Sequence, residues 1–343
     1  MFFRDNNRDL SLSFICGSIL YGYLLITLHL MNPSMGTGIK SESWGPFKPG
    51  TARLWIILAI AAISTAAILI KLSSSHPLVI AFWRLMIAWM ILLPFAFRDV
   101  IYGRCLFKKQ QILPLALVGL FLSLHFITWI WSFQFTKVSS SVLLVTTHPI
   151  FVAIISRFML NERLKRIAAF GIGISLIGSI LVLGGDLSIS GDAFVGDILA
   201  LTGSVMVGLY ILGGARLRKE TTLPVYAAFV YGFAMLFILI PVALLGVDLI
   251  VSDLNEYVIF MALALGPMLA GHTIYNWCLK YVSPTLVSVS MLGEPAGSTI
   301  LAILILGDYP WFGFYLGSPL VFLGIYLIAR YPPDILNNDE RKR

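Results

Sequence analysis

The chain has 343 residues, 58% of them hydrophobic and only 12% charged, with a mean hydropathy of +0.90. It carries more apolar surface than a water-soluble domain buries, which excludes a soluble fold and makes it an integral membrane protein. The net charge of +7 does not imply a nucleic-acid partner, because the basic residues flank apolar runs.

In chain order, residues 1–50 form an extension outside the main body. Within it, residues 10–31 are apolar, and a linker rich in Gly, Pro and Ser follows. Three readings of residues 10–31 stand: an extra span, a signal-like segment without a convincing cleavage site, or a stretch upstream of a true start at Met31 or Met35. An accessory or spurious segment outside the main body fits best.

From residue 52 onward, apolar runs near the length needed to cross about 30 Å of hydrocarbon as helix recur between short polar breaks. The expected spans are 53–71, 77–97, 112–134, 139–160, 166–184, 194–215, 223–246, 257–279, 284–306 and 311–330. With the segment before the first span in the cytoplasm, that side collects Arg98, Arg104, Lys108, Arg163, Arg216 and Arg330 among many others. The opposite side holds only Lys71 and Lys137, with the acidic Asp186, Asp192, Asp248, Asp253 and Glu256. This asymmetry places both ends of the ten-span core in the cytoplasm of a plasma or inner membrane. Cys16, Cys105 and Cys278 are scattered in or beside apolar stretches and suggest neither a disulfide framework nor a metal site.

The pattern occurs twice. Pro77 and Pro94 align with Pro224 and Pro241; one residue less of offset lays Trp131 on Trp277, Pro149 on Pro295, Glu162 on Asp308 and Gly178 on Gly324. Two copies of a five-span bundle must sit upside down to one another, the arrangement that secondary transporters use for alternating access. The expected fold is therefore all-α, with ten transmembrane helices as two inverted five-helix repeats, residues 51–187 and 188–331, and a cytoplasmic tail at 332–343.

Several segments carry a family resemblance. SSSVLLVTTHPIFVAIISRFMLNERL has a small-residue stretch, the mid-helix Pro149 and a closing Glu162-Arg163; VSVSMLGEPAGSTILAILILGDYP carries Glu294-Pro295. PLVIAFWRLMIAWMILL is led by proline and holds Arg84, and Gly196-Asp197 opens the second half. In these motifs the chain resembles the EamA family of the drug/metabolite transporter superfamily, over residues 52–331. Asp308, where the family usually has Glu, and His148 before Pro149 depart from the pattern. The resemblance implies a ten-helix transporter, and export as the direction.

Charges at membrane depth are functional candidates. Arg157 is near a span end and reaches the interface with its long side chain, whereas Arg84 and Glu294 lie deep. Arg84 aligns with Tyr231 and His148 with Glu294, so at both positions the halves differ in chemistry, as an asymmetric ligand between symmetric halves requires. A buried network that only orients helices is the competing explanation. Trp129, Tyr275, His272, Asn276, Trp83, Tyr210 and Tyr231 are further candidates for substrate contact, while the repeat-matched Trp131 and Trp277 read as packing residues. Pro149 and Pro295 are the candidate gating pair, since each removes a backbone donor and loosens its helix. Gly171, Gly173 and Gly178 follow no strand and serve close helix packing rather than a dinucleotide.

The expected function is secondary transport of a small metabolite such as an amino acid, nucleobase or drug-like compound, with a small-molecule substrate and the lipid bilayer as partners. No cofactor or metal is expected. Glu294 or His148 would carry a proton if transport is proton-coupled. A channel, a membrane-embedded enzyme or a receptor is the alternative; no H-E-x-x-H, C-x-x-C or serine-elbow motif supports an enzyme.

Overall fold

The computed structural model describes residues 51–105, 108–136, 138–159, 162–183, 191–306 and 312–335. The expectations placed on residues 1–50, Asp186, Asp308 and the tail beyond residue 335 lie outside the described residues.

Apolar runs fold as helix because lipid leaves no other partner for backbone N–H and C=O groups. In order they are α1 (Ala52–Ile63), α2 (Ala66–Leu72), α3 (Pro77–Ile101), α4 (Ile112–Ser132), α5 (Val138–Val145), α6 (His148–Met159), α7 (Arg166–Leu183), α8 (Gly191–Leu217) and α9 (Leu223–Leu245). There follow α10 (Leu254–Leu263), a π-helical stretch Ala264–Thr273, α11 (Ile274–Cys278), α12 (Pro284–Ser290), α13 (Gly293–Leu306) and α14 (Gly313–Arg330). A two-residue antiparallel pairing of Glu162–Arg163 with Asp334–Ile335 is the one departure from helix among the described elements.

Among the described residues, eight helical runs are long and apolar enough to cross a membrane: Ala52–Leu72, Pro77–Ile101, Lys109–Ser132, Ser140–Met159, Ala193–Leu217, Leu223–Leu245, Leu254–Cys278 and Gly313–Arg330. The run expected at 166–184 yields the shorter apolar helix Arg166–Leu181, and the one at 284–306 is divided between α12 and α13.

Helix starts follow local chemistry. The His76 ring accepts from the Leu78 N–H with Pro77 at the first helical position, and Ser283 accepts from the Leu286 N–H with Pro284 beside it. Gly246, at φ +63°, ends α9 in the left-handed conformation that other residues adopt only with strain.

The main packing pairs are α7 with α14, α4 with α8, and α3 and α4 with α9; α1 packs on the π-helical stretch. Where α7 meets α14, a β-carbon on Gly171 would lie 3.0 Å from the Gly324 carbonyl, and one on Gly178 2.7 Å from the Gly317 carbonyl. As the number rises on one helix it falls on the other, so the two run antiparallel. Glycine is required here because the backbones touch.

Four spans are interrupted. Turns at Ser64–Thr65, Thr146–Thr147 and Met291–Leu292 divide α1 from α2, α5 from α6 and α12 from α13, and the π-helical stretch carries Pro267. Pro94, Pro241 and Pro319, by contrast, sit inside uninterrupted helices.

Candidate functional site

Residues beside all four interruptions line one small cavity of about 20 Å³. Ile63 and Ala66 flank the first, Val145, Thr146 and His148 surround the second, Pro267 and His272 come from the π-helical stretch, and Met291 and Glu294 from the last. Unbroken helices add Arg84 from α3, His125 and Trp129 from α4 and Val207 from α8. Irregular backbone at membrane depth is tolerated where it lines a cavity or is buried in protein, and transporter sites are built that way.

Arg84 is completely buried, with its guanidinium carbon 4.0 Å over the centre of the Phe126 ring. None of its three nitrogens has a hydrogen-bond partner. A cation over an aromatic face recovers roughly 0.5–2 kcal/mol, against a desolvation cost of several kcal/mol for a buried ion. Phe126 alone therefore does not account for a guanidinium at this place. Glu294, in the first turn of α13 and 6% exposed, has an equally unpartnered Oε1. The two residues line the same cavity without forming an ion pair within 4.0 Å.

Three of the chain's five histidines surround these charges. The His125 Nδ1 lies 2.9 Å from the Gly203 carbonyl, which only accepts, so that nitrogen carries the proton. The His125 ring stacks on Trp129 with centroids 5.6 Å apart. His148, the first residue of α6, places Nδ1 2.7 Å from the Ser288 hydroxyl of α12, linking the two broken spans. His272 meets the Phe126 ring edge-on at 5.4 Å.

Of the residues singled out from sequence, Arg84, Glu294, His148, His272 and Trp129 come together at the cavity. Tyr231, Tyr210 and Asn276 form a separate buried network: the Asn276 amide donates to Tyr210 at 2.6 Å and to Tyr231 at 3.3 Å, and the Tyr231 hydroxyl is 2.8 Å from that of Thr273. The edge contact between Tyr210 and His272, centroids 6.1 Å apart, joins this network to the cavity. Tyr275 is buried outside the lining. Trp83 lies elsewhere, its indole N–H donating to the Leu249 carbonyl and its ring stacked on Phe260.

Pro149 and Pro295 lie in the first turns of α6 and α13, where a missing N–H leaves no helical bond unmade. The interruptions themselves fall just ahead of the prolines. Arg157 is exposed, unlike Arg84. Among the remaining packing residues, Trp277 is buried against Tyr281 and Trp131 meets His76 edge-on. Cys105 and Cys278 are buried and free.

Sequence reasoning passed over His125 and Thr146. A histidine inside an apolar run is the same signal of polarity at depth that picked out Arg84. Thr146, whose hydroxyl turns back to the Val142 carbonyl at 2.8 Å, marks an interruption with no comparable signal.

The model of the EamA-like transporter family matches this chain twice, over residues 50–184 and 194–330. The chain belongs to that family and is a multi-pass membrane transporter built from two repeats. It is 25% identical over 268 residues to an uncharacterized transporter of Clostridium kluyveri, covering 75% of this chain and 84% of that one. It is 26% identical to the uncharacterized transporter YdfC of Bacillus subtilis over 250 residues, 72% of this chain and 79% of YdfC. A solved crystal structure 19% identical in sequence superposes with a TM-score of 0.68 over 82% of this chain and 97% of its own, a likeness of fold.

Proposed function

We propose that this protein is a secondary carrier that exports a small polar or amphipathic metabolite by alternating access. Ten spans form two five-helix repeats, residues 51–187 and 188–331, inverted in the bilayer, after an extension at 1–50 and before a cytoplasmic tail at 332–343. The antiparallel contact of α7 with α14 supports the inversion. Gly171 aligns with Gly317 and Gly178 with Gly324, and each meets the other's equivalent, as a two-fold axis in the membrane plane requires. The basic flanks support cytoplasmic ends for the ten-span core in a plasma or inner membrane.

The observation that carries the reading is the unpaired Arg84 and Glu294 in a cavity walled by four interrupted spans. Arg84 and Glu294 grip the charged groups of the substrate, with His148, His272 and Trp129 beside them. Asn276, Tyr210 and Tyr231 brace the adjoining wall, and Trp83, seated on Leu249 and Phe260, takes no part in it. The paired interruptions ahead of Pro149 and Pro295 act as hinges that seal one mouth while the other opens. If the cycle is proton-coupled, Glu294 or His148 carries the proton, and a pH gradient across sealed vesicles then drives uptake.

Counterflow in proteoliposomes tests the carrier. Vesicles preloaded with unlabelled solute should take up the labelled solute against its gradient, with saturation. Flux that rises linearly and shows no counterflow would establish a channel instead.

A further inference from the structure

We propose that the connection between α9 and α10, residues 246–253, is a membrane anchor. It lies among the lipid headgroups of the leaflet where α9 ends, with Leu244, Ile250 and Leu254 reaching the acyl chains. The proposal needs only the bilayer and is independent of the carrier reading.

On α9, Leu236, Ile240 and Leu244 are exposed at four-residue spacing; on α10, Leu254, Val258 and Met261 are exposed at spacings of four and three. Side chains so spaced share one face of a helix, and in a span an exposed apolar face meets acyl chains. The apolar surface does not stop where α9 stops. Leu245 and Ile250 carry it into the connection, and Leu244, Ile250 and Leu254 are 80%, 77% and 79% exposed. By its composition, with Asp248 and Asp253, this segment reads as an acidic aqueous break between spans. Grouped apolar side chains at its surface mark an interaction face instead.

The connection is held in place from the bundle side. The Val247 N–H returns to the Val242 carbonyl at 3.0 Å. The Trp83 indole of α3 donates to the Leu249 carbonyl at 2.8 Å, and the Tyr257 hydroxyl of α10 accepts from the Val251 N–H at 3.2 Å. These two rings meet edge-on with centroids 5.2 Å apart, so one aromatic pair fixes the backbone on both sides of Ile250. The exposed side chain of Ile250 is therefore presented by a pinned main chain.

The two acids do not require that the segment stand off in water. Asp248 accepts from the Ile250 N–H at 2.8 Å and Asp253 from the Asn255 N–H at 2.9 Å, so each carboxylate is turned to a main-chain donor nearby. Irregular backbone does not enter hydrocarbon, where its N–H and C=O groups find no partner. The depth is accordingly that of interfacial segments, with backbone and carboxylates among headgroups and the apolar side chains at the acyl boundary. Tryptophan and tyrosine, here Trp83 and Tyr257, favour that depth. A second copy of the chain is the competing occupant of this face. Its continuity with the lipid-facing stripes of α9 and α10 favours lipid.

The test places a nitroxide at one position at a time in full-length protein, through Ile250→Cys, Leu254→Cys or Ser252→Cys in a background without the native cysteines, reconstituted in phosphatidylcholine vesicles. Collision with oxygen, which concentrates among acyl chains, is compared with collision with a water-soluble nickel chelate. At positions 250 and 254 oxygen should exceed the chelate several-fold, and at the neighbouring exposed position 252 the order should reverse. Chelate collisions in excess at 250 or 254 would overturn the proposal. If neither reagent reaches those labels, protein covers the segment, a second copy where spectra broaden between labelled chains, and the proposal is likewise overturned. Should the cysteine-free background fail to fold, a charged, membrane-impermeant maleimide decides on the native background, corrected for the unsubstituted protein. It should react several-fold more slowly with Ile250→Cys than with Ser252→Cys, and equal rates would overturn the anchor.

Discussion

The Ser175 hydroxyl of α7 lies 3.2 Å from the Val321 carbonyl of α14, and these two residues occupy equivalent places in the two halves of the chain. Under the inverted arrangement proposed above, two-fold related residues that touch each other lie on the axis relating them, which would put this bond at the centre of the α7–α14 seam. The glycines on either side let the seam close.

A methyl group on Gly178 would meet the Gly317 carbonyl at 2.7 Å and the Val321 nitrogen at 2.8 Å, main-chain atoms that cannot step aside singly. Gly178→Ala should therefore lower unfolding stability by about 1–3 kcal/mol. Gly173 on the same helix has nothing within 4 Å of the corresponding position, and Gly173→Ala should leave stability unchanged or slightly raised. Thermal unfolding of both variants in one detergent checks the contrast; equal losses would show that the seam is not the cause.

The two ends of α3 carry ties of different strength. Before it, the Glu256 carboxylate accepts from the Ser74 N–H at 2.8 Å and hydroxyl at 2.9 Å, from Ser75 at 2.7 Å and from Ser73. Beyond its other end, Gln111 donates once to Glu220 at 3.2 Å. Glu256→Ala should cost more than about 2 kcal/mol and Gln111→Ala about 0.5–1.5 kcal/mol, because bonds to a charged acceptor are the stronger. In a background without the native cysteines, a cysteine replacing Ser75 should react several-fold faster with a thiol reagent once Glu256 is gone. Unchanged labelling would mean that the tie does not shield that end of α3.

Asn276 couples Tyr210 to Tyr231, joining the aligned partner of Arg84 to the residue beside His272. Asn276→Ala should destabilise by about 1–3 kcal/mol, since two buried hydroxyls lose a shared donor. In a double-mutant cycle with Tyr231→Phe, the two losses should sum to more than the double variant shows. Additive losses would indicate that the network is not one unit.

Pro149 and Pro295 sit where proline costs no helical hydrogen bond. Substituting either by alanine should change unfolding stability by less than about 1 kcal/mol, the usual size of a proline effect through the unfolded chain. Counterflow should slow as the new alanine N–H bonds back across each turn and stiffens it. Full transport in the double variant Pro149→Ala, Pro295→Ala would remove the hinges from the mechanism.

Hydropathy alone located the apolar runs and the depth of Arg84, Glu294 and His148, because the cost of burying charge in hydrocarbon constrains composition residue by residue along a helix. The internal repeat was equally legible, since duplicated sequence keeps its prolines and glycines in step. Direction around the helix axis was not legible. Depth is the same on every face of a span, so nothing local distinguished His272, which lines the cavity, from Asn276 one turn on, which is bonded to Tyr210 and Tyr231. The interruptions at Thr146–Thr147 and Met291–Leu292 likewise precede the prolines that announce them, because a chain is free to break wherever neighbouring helices and a cavity satisfy the freed backbone groups. Only the packed bundle decided which polar side chains share one space, and that Arg84 and Glu294 enter it without touching.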